Sequence, residues 1–218
     1  HLPATKHVVI LVSGDIAQSG QEAQYDLAEN FIEKIRSSII SQKSIPVSVI
    51  VAPGNHDCNF DGDQEARNII AQSASKKGPS VPSSFIEIAT SVQINYVNFK
   101  RKISPKPKIG DKLWETYEIE VDGKLIVFDA LNASWISTRH EQQGNLYFPY
   151  ESYETQNNPE VVPALRVGVL HHPFSWYSQT NVQKFRSFMH GLEDLIFTGH
   201  EHYANARSSD EVWSGGCN

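Results

Sequence analysis

Pro46-Val47-Ser48-Val49-Ile50-Val51-Ala52-Pro53-Gly54-Asn55-His56-Asp57 is the stretch that decides the fold. Its first half is apolar and β-branched, the composition of a strand buried on both faces. Pro53-Gly54 stops the strand, and an amide, an imidazole and a carboxylate follow at once. In open α/β sheets the carboxyl ends of the strands are where ligands bind and chemistry is done.

Working outward, the same design recurs three times. His7–Ser13 is an apolar run that ends in Gly14-Asp15. Leu165–Leu170 ends in His171-His172-Pro173, and Leu195–Thr198 ends in Gly199-His200-Glu201-His202. Folded side by side, the four runs gather Asp, Asn and several His around one point. Oxygen and imidazole donors without thiolates suit Mn, Fe or Zn.

The chain between these runs reads as α/β. Glu22–Ile40 carries Tyr25, Leu27, Phe31, Ile32, Ile35 and Ile39 close to helical spacing. Strand, helix and strand 47–52 make a βαβ unit with parallel strands and a right-handed crossover. The sequence predicts helices over 61–74, 84–99 and 179–191, and a loop over 73–84, which is rich in Ser, Lys, Pro and Gly. Residues 100–108 hold five Lys or Arg and two Pro. A solvated loop is the plainer reading of that segment and a phosphate-facing lid the alternative. Trp114–Val121 and Lys124–Leu131 meet across Asp122-Gly123, a strong hairpin signal. Residues 133–163, with Trp135, Tyr147, Phe148, Tyr150 and Tyr153, read as a long insertion that either shapes the substrate pocket or packs over the sheet edge.

Length and composition set bounds on this reading. The 218 residues predict one domain, 1–218, with a lid or insertion near 133–163. No apolar run approaches the ~18 residues that span a bilayer, and residues 1–13 carry no signal-peptide pattern. A net charge of −6 gives no general electrostatic help in binding nucleic acid, although bound metal ions would change the sign locally. Cys58 and Cys217 read as unpaired thiols in a reducing compartment, so a cytoplasmic location is expected. Both ends look cut, which suggests part of a larger chain.

Each strand end has a chemical reading. Asp15 can give one oxygen to each of two metal ions, and Gly14 lets the backbone pass close by. Asn55 offers a neutral carbonyl oxygen, His56 is left as a proton donor, and Asp57 is expected to orient and charge the His56 ring. His171 lies nearer its strand end than His172 and is the expected ligand. His200 and His202, one residue apart in an extended segment, can reach two adjacent metals, while Glu201 points away. His7, His140 and His190 have no such context and read as structural or surface residues.

Gly-Asp (14–15), Gly-Asn-His-Asp (54–57), His-His-Pro (171–173) and Gly-His-Glu-His (199–202), in this order, resemble the calcineurin-like metallophosphoesterase superfamily. The resemblance spans residues 8–202. Val12–Gly20 is also similar to bacterial members. It implies a four-layer α/β (α+β) fold, a β-sandwich flanked by helices with a dinuclear metal centre at the strand C-terminal ends. By resemblance Asp15 is the bridging ligand, Asn55, His171 and His200 serve the second metal, His202 serves the first, and His56 is the catalytic histidine. The implied activity is phosphoester hydrolysis by a metal-bridging hydroxide in line with the leaving group. A phosphodiester or nucleotide substrate is expected from the basic 100–108 segment and the aromatics at 135–153. A DNA or RNA nuclease domain of a larger protein and a catalytically degenerate metal-binding interaction module are the alternatives. The family opens with an Asp-x-His strand that completes the first metal site, and no Asp-x-His precedes Gly14. Either that strand lies upstream of His1 or the site has been lost, and the former is expected.

Overall fold

β1 (Val8–Val12) and β2 (Val47–Val51) pair in parallel, in register from Val8 against Val47 to Val12 against Val51, with α1 (Glu22–Lys43) as the crossover. This computed structural model describes residues 5–62, 64–77, 81–157, 162–201, 205–207 and 211–214. The turn into α1 is organised by one amide: Gln24 Oε1 accepts the backbone N–H groups of Gln18, Ser19 and Gln21. The helix stops at Ser44, in the left-handed region at φ 51°, whose N–H closes onto the Ile40 carbonyl.

The second sheet runs β3-β4-β5-β6-β7, from β3 (Ile109–Gly110) through β4 (Trp114–Val121), β5 (Lys124–Leu131) and β6 (Leu165–Leu170) to β7 (Leu195–Phe197). β4 and β5 form the expected hairpin, with Asp122 at φ 51° and Gly123 at φ 73°, the two positive values a tight type I′ turn requires. β5, β6 and β7 are parallel. β8 (Asn205–Arg207) and β9 (Glu211–Ser214) pair antiparallel.

Side-chain alternation stacks these sheets into four layers. Ile50 and Ala52 of the β2 segment face Tyr117, Ile119, Phe128, Ala130, Val167 and Val169 across the sandwich. Val49 and Val51 point the other way, onto Tyr25 and Ile32 of α1 and Tyr96, Phe99 and Ile103 of α4 (Ile94–Ile103). On the far face of the second sheet, Trp114, Leu131, Leu170 and Ile196 pack against Phe185 and Met189 of α5 (Val182–Leu192). α2 (Glu65–Lys77) and α3 (Ser83–Ala89) close the same cluster through Ile70, Ala71, Ala74 and Ala89. The β-sandwich between helices is therefore the fold that the family resemblance implies. Among the described residues no helix is long and apolar enough to cross a membrane.

Several local expectations change. The loop expected at 73–84 is largely helical at its start, because burial of Ala71 and Ala74 under the Trp135 cluster carries α2 to Lys77. The single helix expected over 84–99 breaks into α3, a 3-10 turn at Thr90–Gln93, and α4. Thr90 Oγ1 bonds back to the Ile86 carbonyl and Ser91 Oγ to that of Ile88, and Gln93 turns inward to exchange two hydrogen bonds with Asn132. α4 then runs into the basic segment as far as Ile103, which is buried, and ends at Ser104. Lys100, Lys102 and Lys108 pair with Glu115, Glu29 and Glu118 at 2.6, 3.0 and 3.6 Å. Trp135, Tyr147, Phe148, Tyr150 and Tyr153 are all core residues of the cluster under α5, so they are not the base-stacking platform that the sequence suggested.

One buried charge cluster supports that layer. Asp129 accepts from Trp114 Nε1 at 2.7 Å and from Arg166 Nε at 2.6 Å. Glu193 is left 3.8 Å from the same Arg166 nitrogen. Burial, reinforced by the Asp129 charge, holds the Glu193 carboxyl well above the ordinary range.

Candidate metal centre

The site is built where β1, β2, β6 and β7 end. Gly14, at φ 103°, turns the chain after β1, and a Cβ there would lie 2.5 Å from His171 Nδ1 and 2.7 Å from the Gly54 nitrogen. Asp15 and His200 follow their glycines at φ 54° and 67°, left-handed conformations that side chains other than glycine adopt at a cost.

Four predicted donors meet at one point. His171 Nε2 lies 3.2 Å from Asp15 Oδ2 and 3.1 Å from Asn55 Oδ1. His200 Nδ1 lies 3.1 Å from the same Asn55 oxygen and 3.2 Å from His171 Nε2. Donor atoms bound at about 2.1 Å to a single ion stand roughly 3.0–3.4 Å apart, depending on geometry. The His171 tautomer fits as well: its other nitrogen, Nδ1, is 2.7 Å from the Ser13 carbonyl, which can only accept. Nδ1 therefore carries a proton, and as a metal ligand the neutral ring would direct its Nε2 lone pair at two oxygens and a nitrogen. Converging lone pairs call for a cation between them.

Charge at the site follows from the same contacts. Burial favours neutral Asp15, but the hydrogen bond and charge of His171 and the His56 backbone N–H outweigh it and lower the carboxyl pKa. In the metal-free site burial opposes a charge on His171, and the Asp15 contact overcomes it and raises that pKa. Burial, with His172 and His171 as neighbours, pushes His200 down to about 4, so its ring is a neutral donor.

His56 and Asp57 do different work from the pairing expected for them. His56 is exposed, and its Nδ1 lies 2.7 Å from the Gln18 carbonyl, so Nε2 faces solvent as the free nitrogen. Asp57 is fully buried and turned away. It accepts from the backbone N–H groups of Gly54, Ala17 and Ile16 at 2.8, 2.9 and 3.2 Å and from the Tyr25 hydroxyl at 3.0 Å. Gln18, not Asp57, orients His56, and Asp57 ties the Asp15 loop to the Asn55 loop. His202 lies outside the described residues, as does Cys217. Cys58 is a buried free thiol raised to about 12 by burial, unreactive at neutral pH.

His172, passed over for His171 in the sequence, lies against the site, and two further residues there, Glu141 and Trp176, had no sequence signal. His172 Nε2 donates to Glu141 Oε2 at 2.9 Å, and its ring lies 4.4 Å from that of His200. Nitrogens of His171, His172 and His200 all lie within 4.8 Å of one another, yet the Nε2 of His172 is committed to Glu141. Burial favours neutral Glu141, but the His172 bond and charge outweigh it and lower its pKa, while burial lowers that of His172. A carboxylate thus accepts from a neutral ring. Trp176 packs edge-on to the His200 ring at 4.1 Å and is partly exposed. Glu141 comes from the aperiodic 133–163 segment and Trp176 from a 3-10 turn, neither of which carries a pattern that marks a site.

A sandwich that presents carboxylate, amide and imidazole donors together at its strand ends defines a metal-dependent hydrolase class. The family model for calcineurin-like phosphoesterases matches residues 1–204, and the chain belongs to that family. It is a phosphoesterase, and the family is metal-dependent. No curated protein matches the chain.

Proposed function

We propose that the chain hydrolyses a phosphodiester bond of nucleotide type. The observation that carries the reading is His56, exposed and held through Nδ1, beside the four-donor cluster. Asp15, Asn55, His171 and His200 would hold a divalent ion, Mn, Fe or Zn by donor type, with His202 as the expected ligand of a second. When bound, the ions supply Lewis acidity toward the phosphate oxygens and lower the pKa of water to give a nucleophile. Asp15 fixes the backbone of His56 through the 3.0 Å bond from the His56 N–H. With its Nδ1–H on the Gln18 carbonyl, His56 would act as the imidazolium, passing its Nε2 proton to the departing oxygen and leaving a neutral ring. Trp176 offers a partly exposed ring face for the leaving group. A small diester is favoured over nucleic acid because Lys100, Lys102 and Lys108 are each paired with a carboxylate and the chain carries a net charge of −6.

The test is hydrolysis of a chromogenic phosphodiester and a phosphomonoester, with Mn²⁺ and with chelator, by the wild type and by His56→Ala and His200→Ala. Metal-dependent turnover that prefers the diester and falls in both variants is expected. Preference for the monoester overturns the diester assignment, and turnover that survives chelation and His200→Ala overturns the assigned centre.

A further inference from the structure

A cavity of about 680 Å³ lies between α4 and the β3–β4 strands, with Val51 of β2 on its lining. None of Asp15, Asn55, His56, His171 or His200 lines it. Its size falls within the roughly 300–1,000 Å³ of small-molecule sites. The floor is apolar, from Pro53, Tyr96, Val97 and Ala130, and ends on the Gln93–Asn132 amide pair, whose hydrogen bonds of 3.1 and 2.7 Å satisfy each other. The lining carries Arg101, Lys106 and Lys112, together with Asp111 and the Lys100–Glu115 pair, so positive charge is in excess.

That excess runs against the charge of the chain, which is net −6. Lys112 meets Glu87, but among the described residues no ion pair engages Arg101 or Lys106. Lys106 stands between Pro105 and Pro107, whose rings fix φ and reduce the entropy lost when the lysine is held in place.

We propose that this cavity is a second binding site, distinct from the metal centre, for a small organic phosphate. The phosphate lies on Arg101 and Lys106, and the apolar body of the molecule lies on the Tyr96 side of the floor. The site does not depend on the metal-centre assignment.

The experiment is calorimetric titration of the whole chain with adenosine monophosphate and, in parallel, with inorganic phosphate. Chelator is present throughout so that the metal centre is silent. Saturable binding of the nucleotide is expected, with inorganic phosphate at least about 10-fold weaker because it leaves the floor empty. Arg101→Glu/Lys106→Glu, both at exposed positions, should weaken nucleotide binding at least about 10-fold, and His200→Ala should leave it unchanged. Absence of saturable binding, indifference to the double charge reversal, or loss in His200→Ala alone would each overturn the site. Equal affinity for inorganic phosphate would overturn the role of the floor.

Discussion

His171 Nδ1 lies 2.7 Å from the carbonyl oxygen of Ser13, across 158 positions of sequence. The contact joins the end of β6 to the end of β1 and sets which imidazole nitrogen carries the proton. The Nε2 lone pair of His171 is left facing Asp15, Asn55 and His200. The backbone thus prepares the metal donor before any ion arrives.

That preparation depends on the absence of a side chain at Gly14. Gly14→Ala places a methyl group 2.5 Å from His171 Nδ1 at a φ of 103°. It should destabilise the fold by roughly 1–3 kcal/mol and lower bound metal together. Denaturant unfolding and metal content of the purified variant are the measurements, and wild-type values for both would contradict the close approach.

Removing a donor separates binding from chemistry. His200→Ala should weaken metal affinity by more than about 100-fold, beyond the usual loss for an outer partner. His56→Ala should keep the metal and lower kcat by roughly 10²–10⁴-fold. Metal titration followed by turnover at saturating metal distinguishes the two, and full activity in His56→Ala would remove it from the mechanism.

Glu141 acts through His172, which packs on the His200 ring. Glu141→Ala should cost about 10-fold in metal affinity, within the range for outer partners, while Glu141→Gln, which can still accept from His172 Nε2, should recover most of it. Equal losses in both variants would point to the carboxylate charge instead of the hydrogen bond.

Glu193 gives a pH dependence far from the metal centre. Its folded pKa is raised well above 4.5 by burial and by Asp129, so the folded state keeps a proton that the unfolded chain releases. Stability therefore falls as pH rises from about 4.5 toward the raised pKa. Glu193→Gln should remove that loss, so the Tm difference between variant and wild type grows in favour of the variant from pH 5 to pH 8. A difference that does not change with pH would show that Glu193 is not held neutral.

Much of the architecture was legible because it repeats a local signal. Each of four apolar runs ends in Gly or Pro followed or preceded by polar donors, and β-branched strands with an intervening amphipathic helix specify parallel pairing. Asp122-Gly123 named its own turn, since only residues tolerant of positive φ close a two-residue hairpin. The break at Thr90–Gln93 was not legible, because it answers to Asn132, which lies 39 residues from Gln93.

Which side chains stand at the strand ends could be read from the chain, because strand, stop and donor are adjacent in it. Their partners came from folding alone. Asp57 sits one residue from His56, yet its carboxylate is drawn to three backbone N–H groups, and the His56 ring turns to the Gln18 carbonyl. Glu141 reaches His172, and the aromatics of 135–153 fill the core under α5. Burial and hydrogen-bond satisfaction act between residues that folding brings together, and these pairings leave no periodicity in the chain.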